Sequence, residues 1–96
     1  MKAIATDKAP AAIGPYSQAV RHGDLLFVSG QLPINPATGG FVEGGAVEQM
    51  RQCLKNIAAI AEEAGTDLAK TIKTTVLLTD LSGFAAVNEE YGRAFA

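Results

Sequence analysis

Three short stretches hold polar groups where a chain tends to present them to a ligand. In "IGPYSQAV", Tyr16 follows a Gly14-Pro15 turn at the mouth of a strand; in "VSGQLP", Ser29, Gly30 and Gln31 stand where an apolar strand gives way to a proline loop. Strand ends beside loops commonly display binding groups, because the strand fixes position and the loop leaves access. The third is Asn88, between Val87 and Tyr91 and close to the apolar stripe of a helical segment. An amide there must find hydrogen bonds or cost about 1–3 kcal/mol. The residues alone leave two accounts open: a bound small molecule, or a purely structural set in which the tyrosine packs, the glycine makes a bulge and the glutamine ties down a loop.

Other chemistry is thinly represented. There is no glycine-rich nucleotide loop of either common type, no Cys/His cluster for a metal and a single histidine, so no cofactor is expected. His22 sits beside Gly23 as a solvated turn residue. Cys53, the only cysteine, lies next to an apolar helical stripe with no cation or helix N-terminus to lower its pKa, which reads as packing. Glu48, Glu62 and Glu63 fall on the polar side of the same helix and read as solvated surface. Ten acidic and eight scattered basic residues give a net charge of -2, which argues against a nucleic-acid partner. One cysteine, no signal-peptide pattern and no apolar run near the roughly 20 residues of a membrane span point to a cytoplasmic protein that is not embedded in a membrane.

The elements that must position these groups are legible in the hydrophobic pattern. Ninety-six residues form one domain with one core. "KAIAT" (2–6) is a short strand, and Pro10, Gly14 and Pro15 make the next stretch a connector. "YSQAVRHGDLLFVSGQ" reads as a hairpin turning at His22-Gly23-Asp24. Its second arm, "LLFVS", is almost continuously apolar, so both faces need covering, one by helices and the other by something such as a second subunit. "LPINPATGGFVEGG" is a loop. Val47, Met50, Leu54, Ile57, Ile60, Ala61 and Ala64 repeat at helical spacing, with Gly65 as the stop. "TIKTTVLLTD" is rich in β-branched residues and predicts a further core strand. Asp80 or Ser82 then caps a last helix whose Phe84, Val87, Tyr91 and Phe95 share one face. The order strand, strand, strand, helix, strand, helix implies helices on one face of a mixed sheet, and the last helix predicts a further strand after Ala96.

Taken together, "AIGPYSQAV", "LLFVSGQLPINPATGG", "QCLKNIAAIAEEAG" and "IKTTVLLTDLSGFAAVNEEYGRAF" resemble the RidA/YjgF family of reactive-imine deaminases, known in older naming as endoribonuclease L-PSP. The resemblance runs nearly from Met1 to Ala96 in the family's order. It implies an α+β, chorismate-mutase-like fold of the bacillus type: a mixed sheet with two helices on one face, in the order βββαβα with the final strands missing. It also implies a homotrimer whose sheets pack into a barrel, with ligand clefts between neighbours, and hydrolysis of 2-imino acids to 2-oxo acids and ammonia without metal or cofactor. Carried over by position, Tyr16 would line the cleft, the Ser29-Gly30 backbone with Gln31 would shape its wall, and Asn88 would add a polar group or order that wall. The family's carboxylate-binding arginine, in a Pro-x-Arg motif, and its water-positioning glutamate would both follow the final helix and so lie beyond Ala96. On this resemblance residues 1–96 are a single domain truncated at the C-terminus, with no catalytic residue of the family within them.

Three functions are therefore set against each other. The first is a 2-iminobutanoate/2-iminopropanoate deaminase; the second is a non-catalytic protein that binds or senses 2-oxo acids in the same cleft. The third, carried only by the older family name, is an endoribonuclease or translation inhibitor, against which the charge and the single histidine argue.

Overall fold

The computed structural model describes residues 1–95. Ala96, beyond which the resemblance sets the family's arginine and glutamate and a further strand, lies outside the described residues. Three strands, β1 (Lys2–Ile4), β2 (Ala19–His22) and β3 (Leu25–Val28), form one sheet in the order β1-β2-β3, antiparallel throughout. Ile4 pairs with Ala19 and Ala19 with Val28, while Ala3 pairs with Val20 and Val20 with Phe27. The β2–β3 turn takes two residues, Gly23 and Asp24, and Gly23 adopts φ +59°, the first position of a type II′ hairpin turn that an L side chain would strain.

Helix α1 (Ala46–Glu63) lies on the face of the sheet that carries Ile4, Ala19, Leu26 and Val28. Ile60 sits at the centre of that contact, fully buried among Ile4, Ala9, Ala19 and Ala64. The two helix ends are fixed by local chemistry. At the start, the Glu48 carboxylate accepts from the Gly45 N–H at 3.0 Å, and Gly44 turns at φ +114° where any Cβ would meet the Glu48 side chain at 2.8–3.0 Å. At the end, Gly65 N–H donates to the Glu62 carbonyl and Thr66 N–H to the Ala61 carbonyl, the two bonds of a Schellman motif, with Gly65 at φ +84°. The Arg21 guanidinium, from β2, donates to the Ala64 carbonyl and places a cation at the negative end of the helix.

A second helix, α2 (Phe84–Phe95), packs against α1. Asp80 accepts from Ser82 N–H and caps the short 3-10 turn Leu81–Gly83 that feeds it. Of the four residues spaced along its stripe, Val87 is buried, Tyr91 and Phe95 are half-buried with ring centroids 4.5 Å apart, and Phe84 is exposed. Glu90 bridges the helices by accepting from Arg51 at 2.9 and 3.2 Å and from Arg93 at 3.0 Å.

The α+β class and two-helix architecture agree with the sequence reading, and one element differs. Residues 71–78 make no strand ladder, so the described sheet has three antiparallel strands rather than a mixed set. β-Branched composition favours a pleated backbone, but a strand exists only through a neighbour, and no strand of the sheet lies beside this segment. Its Ile72 and Leu77 are exposed, and the Thr74 and Tyr91 hydroxyls share a hydrogen bond that ties it to α2. Of the two faces of "LLFVS", the described residues cover one and leave the other open. Val28 and Leu26 face α1, whereas Phe27 stays 60% exposed and Leu25 is open on the opposite face, beside Ala3 and Val20.

Candidate functional site

The site is assembled by two polar clamps that bring distant stretches to one corner of the sheet. The first is Gln18, at the entry to β2 and buried. Its Nε2 donates to the carbonyls of Thr6 (3.0 Å), Ala9 (3.2 Å) and Pro10 (2.7 Å), and its Oε1 accepts from Thr6 N–H at 2.6 Å. One side chain thus holds the whole proline connector against the strand, which explains how a buried amide is tolerated. The second clamp joins the strand ends: Ser29 Oγ donates to the Ser17 carbonyl at 2.6 Å and Ser29 N–H to the Gln18 carbonyl at 3.0 Å. The residue after β3 is thereby fixed to the residues next to Tyr16.

Beside these clamps lies an open groove of about 480 Å³, walled by Ala3, Ala5, Ala12, Tyr16 and Ser17. Tyr16 is about half exposed at the edge of this groove. Gly30 follows the clamped Ser29 with an ordinary φ, and a Cβ built on it meets nothing within 4 Å. Nothing among the described residues requires glycine there, so a need for bare backbone would come from a ligand or another chain. The Gln31 side chain turns back and donates to the Ser29 carbonyl at 3.2 Å, while the Gln31 carbonyl accepts from the Cys53 thiol at 3.3 Å.

The structure therefore draws Tyr16, Ser29, Gly30 and Gln31 into one neighbourhood, although the groove reaches only Tyr16 of the four. Asn88 is not drawn in. It is exposed on α2 and bonds to none of these residues among those described, so the expected penalty of a half-buried amide does not arise, because water serves it. The positions at which the resemblance sets the family's arginine and glutamate, beyond Ala96, fall outside the described residues. His22 is exposed at the end of β2, as a turn residue should be. Cys53 is half-buried and its thiol pKa is raised by burial, which keeps it protonated and fits a packing residue. No group of three or more potential metal ligands occurs among the described residues, and no described helix is long and apolar enough to cross a membrane.

Two residues central to the geometry were not singled out in the sequence: Gln18 and Asn56. Asn56 is fully buried on α1, where its Nδ2 donates to the Leu32 and Ile34 carbonyls. A signal existed for it, since Asn56 stands four residues before Ile60 on the buried side of α1, where a polar residue must have a partner. For Gln18 the only signal is its place two residues after Tyr16.

Comparison with known proteins finds relatives both in sequence and in fold. The endoribonuclease L-PSP family model matches residues 6–96. A RutC family protein of Sinorhizobium fredii is 66% identical over 93 residues, covering 97% of this chain and 74% of the relative. The mouse protein named 2-iminobutanoate/2-iminopropanoate deaminase is 50% identical over 94 residues, covering 98% of this chain and 70% of its own. Among solved structures, RidA from an Antarctic Psychrobacter superimposes with a TM-score of 0.94 at 46% identity, over all of this chain and 77% of that one. The Escherichia coli protein TdcF, solved with bound serine, gives 0.92 at 44% identity, over 97% and 72%.

Proposed function

We propose a specific activity for this chain, which belongs to the endoribonuclease L-PSP family, also called RidA/YjgF: hydrolysis of 2-imino acids to 2-oxo acids and ammonia. The observation that carries the reading is the 50% identity, along almost the whole chain, to a mouse relative named for that reaction. The serine bound to TdcF supports a ligand of the same size, with a carboxylate next to a nitrogen-bearing carbon.

The chemistry asks little of the protein. An imine carbon is electrophilic; water adds to it, giving a carbon that bears both OH and NH2, and loss of ammonia leaves the 2-oxo acid. The site must hold the substrate and aim the water. In this chain Tyr16 supplies a hydroxyl that donates to the substrate, Gly30 leaves room for it against bare backbone, and Ser29 and Gln31 hold that backbone in place. The open sheet face bearing Phe27 is the surface on which copies of the chain would meet, as a homotrimer with the site completed between neighbours. Imino acids released by pyridoxal-phosphate enzymes arise in the cytoplasm, which is where such a protein would act.

The test is to add the protein, expressed from its full coding sequence, to threonine dehydratase with threonine and to follow ammonia and 2-oxobutanoate. Release faster than in buffer is expected. No acceleration, with 2-oxobutanoate binding seen by calorimetry, would replace the reading by that of a non-catalytic binder.

A further inference from the structure

Asn56 is a fully buried amide at mid-helix, a position where packing alone would favour an apolar side chain. Its hydrogen bonds all serve one purpose. Nδ2 donates to the Leu32 carbonyl at 3.2 Å and to the Ile34 carbonyl at 3.0 Å, and Oδ1 accepts from Gln52 Nε2, one turn earlier, at 2.8 Å. Gln52 thus holds the amide in the orientation that points its donors at the loop. The loop itself is folded tightly there: Ile34 N–H also donates to the Leu32 carbonyl at 2.8 Å, across Pro33. With the Cys53 thiol on the Gln31 carbonyl, three carbonyls within four residues end on a single turn of α1.

On its other side the same backbone is anchored by Ser29, through the Ser17 and Gln18 carbonyls. Gly30 is therefore suspended between two fixed points, the β2 entry and α1. Displacing the α1 anchor moves Gly30 and Gln31 relative to Tyr16, which adjoins Ser17 at the β2 entry.

We propose that Asn56 is a positioning residue of the imine site: by holding the Leu32 and Ile34 carbonyls against α1, its buried amide sets where Gly30 and Gln31 stand relative to Tyr16. This rests on the proposed function for its kinetic consequence, but not for its geometric one. Asparagine suits the task because it is short and carries two N–H donors on one atom, enough for two carbonyls two residues apart. Aspartate has the same shape and offers those carbonyls only acceptors.

The experiment compares Asn56→Asp with Leu54→Ala, a buried change on the same helix that makes none of these loop bonds. Both are assayed at a temperature where circular dichroism shows them folded. Asn56→Asp is expected to lower kcat/KM for 2-iminobutanoate by about 30- to 100-fold, as a misplaced binding wall does, while Leu54→Ala stays within about threefold. In parallel, the backbone amide resonances of Ser29, Gly30 and Gln31 should shift in Asn56→Asp and hold in Leu54→Ala. Where Asn56→Asp does not fold, Asn56→Ser, which keeps one donor, takes its place with the same readouts at smaller size. Unmoved Gly30 and Gln31 resonances, or equal kinetic losses in the two variants, overturn the proposal. Should the wild type hydrolyse no imine, the functional reading fails and the resonances alone decide the positioning role.

Discussion

Phe27 is the most informative residue to change. Its side chain points away from α1, on the sheet face it shares with Ala3, Val20 and Leu25, and is 60% exposed in the single chain. An aromatic side chain contributes roughly 150–250 Å² of surface, so about 100–150 Å² of this one is left for a neighbouring copy. At about 25 cal/mol per Å², covering it would stabilise the proposed trimer by about 2.5–4 kcal/mol per copy, or roughly 8–12 kcal/mol in all. Every 1.4 kcal/mol is about tenfold, so Phe27→Ala should weaken the assembly constant by more than about five orders of magnitude. Phe27→Lys should go further, since it adds three like charges to the desolvated face. Because the ring gains little burial within its own chain, the fold of each subunit should survive, and circular dichroism checks that. Sedimentation from low to high micromolar concentration reads the result: a trimer for the wild type and a monomer for Phe27→Lys. A Phe27→Lys protein that sediments with the wild-type mass at every concentration, or a wild type that stays monomeric, would refute the assignment of this face.

Other changes separate fold from function. Gly30→Ala should leave stability unchanged or raise it by up to about 1 kcal/mol, because the backbone accepts an L residue and no atom stands in the way; imine hydrolysis should nonetheless fall by an order of magnitude or more, and full activity would show that nothing approaches that backbone. Ile60→Ala removes three buried carbons from the α1–sheet contact, about 2.4 kcal/mol in transfer alone and about 3–4 with the cavity. For a domain of this size that lowers the melting temperature by roughly 12 °C or more, and a shift under about 5 °C would mean the core had collapsed around the gap. The Glu90 carboxyl is held below its usual range by the hydrogen bond from Arg51 and by the charges of Arg51 and Arg93. A depressed carboxylate contributes stability above its unfolded pKa and loses it as pH falls through the folded value. The melting-temperature gap between wild type and Glu90→Gln should therefore shrink from about pH 6 to about pH 3, the carboxylate range, and a gap constant with pH would count against the ion pair.

What the sequence made legible follows from the range of the forces involved. α1 was readable because its signals are local: apolar residues every three or four positions and a glycine at the αL stop. The hairpin was readable for the same reason, through Gly23 and two flanking apolar runs. Residues 71–78 carry equally strong β propensity, yet a ladder depends on what lies alongside, which propensity does not encode. Tyr16, Ser29, Gly30 and Gln31 were recognisable as strand-end residues, and the serine clamp does bring them together. Asn88 is exposed rather than half-buried because a helical wheel places it beside the stripe but does not say how deep the stripe sinks. Gln18 and Asn56 escaped because their roles lie in bonds to carbonyls 8 to 24 residues away.

β3 carries a further consequence. Of the three strands in the order β1-β2-β3, it is an outer one, so its Leu25–Val28 backbone has one side without a ladder partner among the described residues, and the same four residues show Leu25 and Phe27 on the uncovered face. A short apolar strand with an open side and an open face is a template for any other extended chain it meets. Until that side and that face are covered, each molecule is open to indiscriminate strand pairing, a collisional process that grows with concentration. In the proposed trimer, covering this strand would guard the chain against aggregation as much as it would build a cleft.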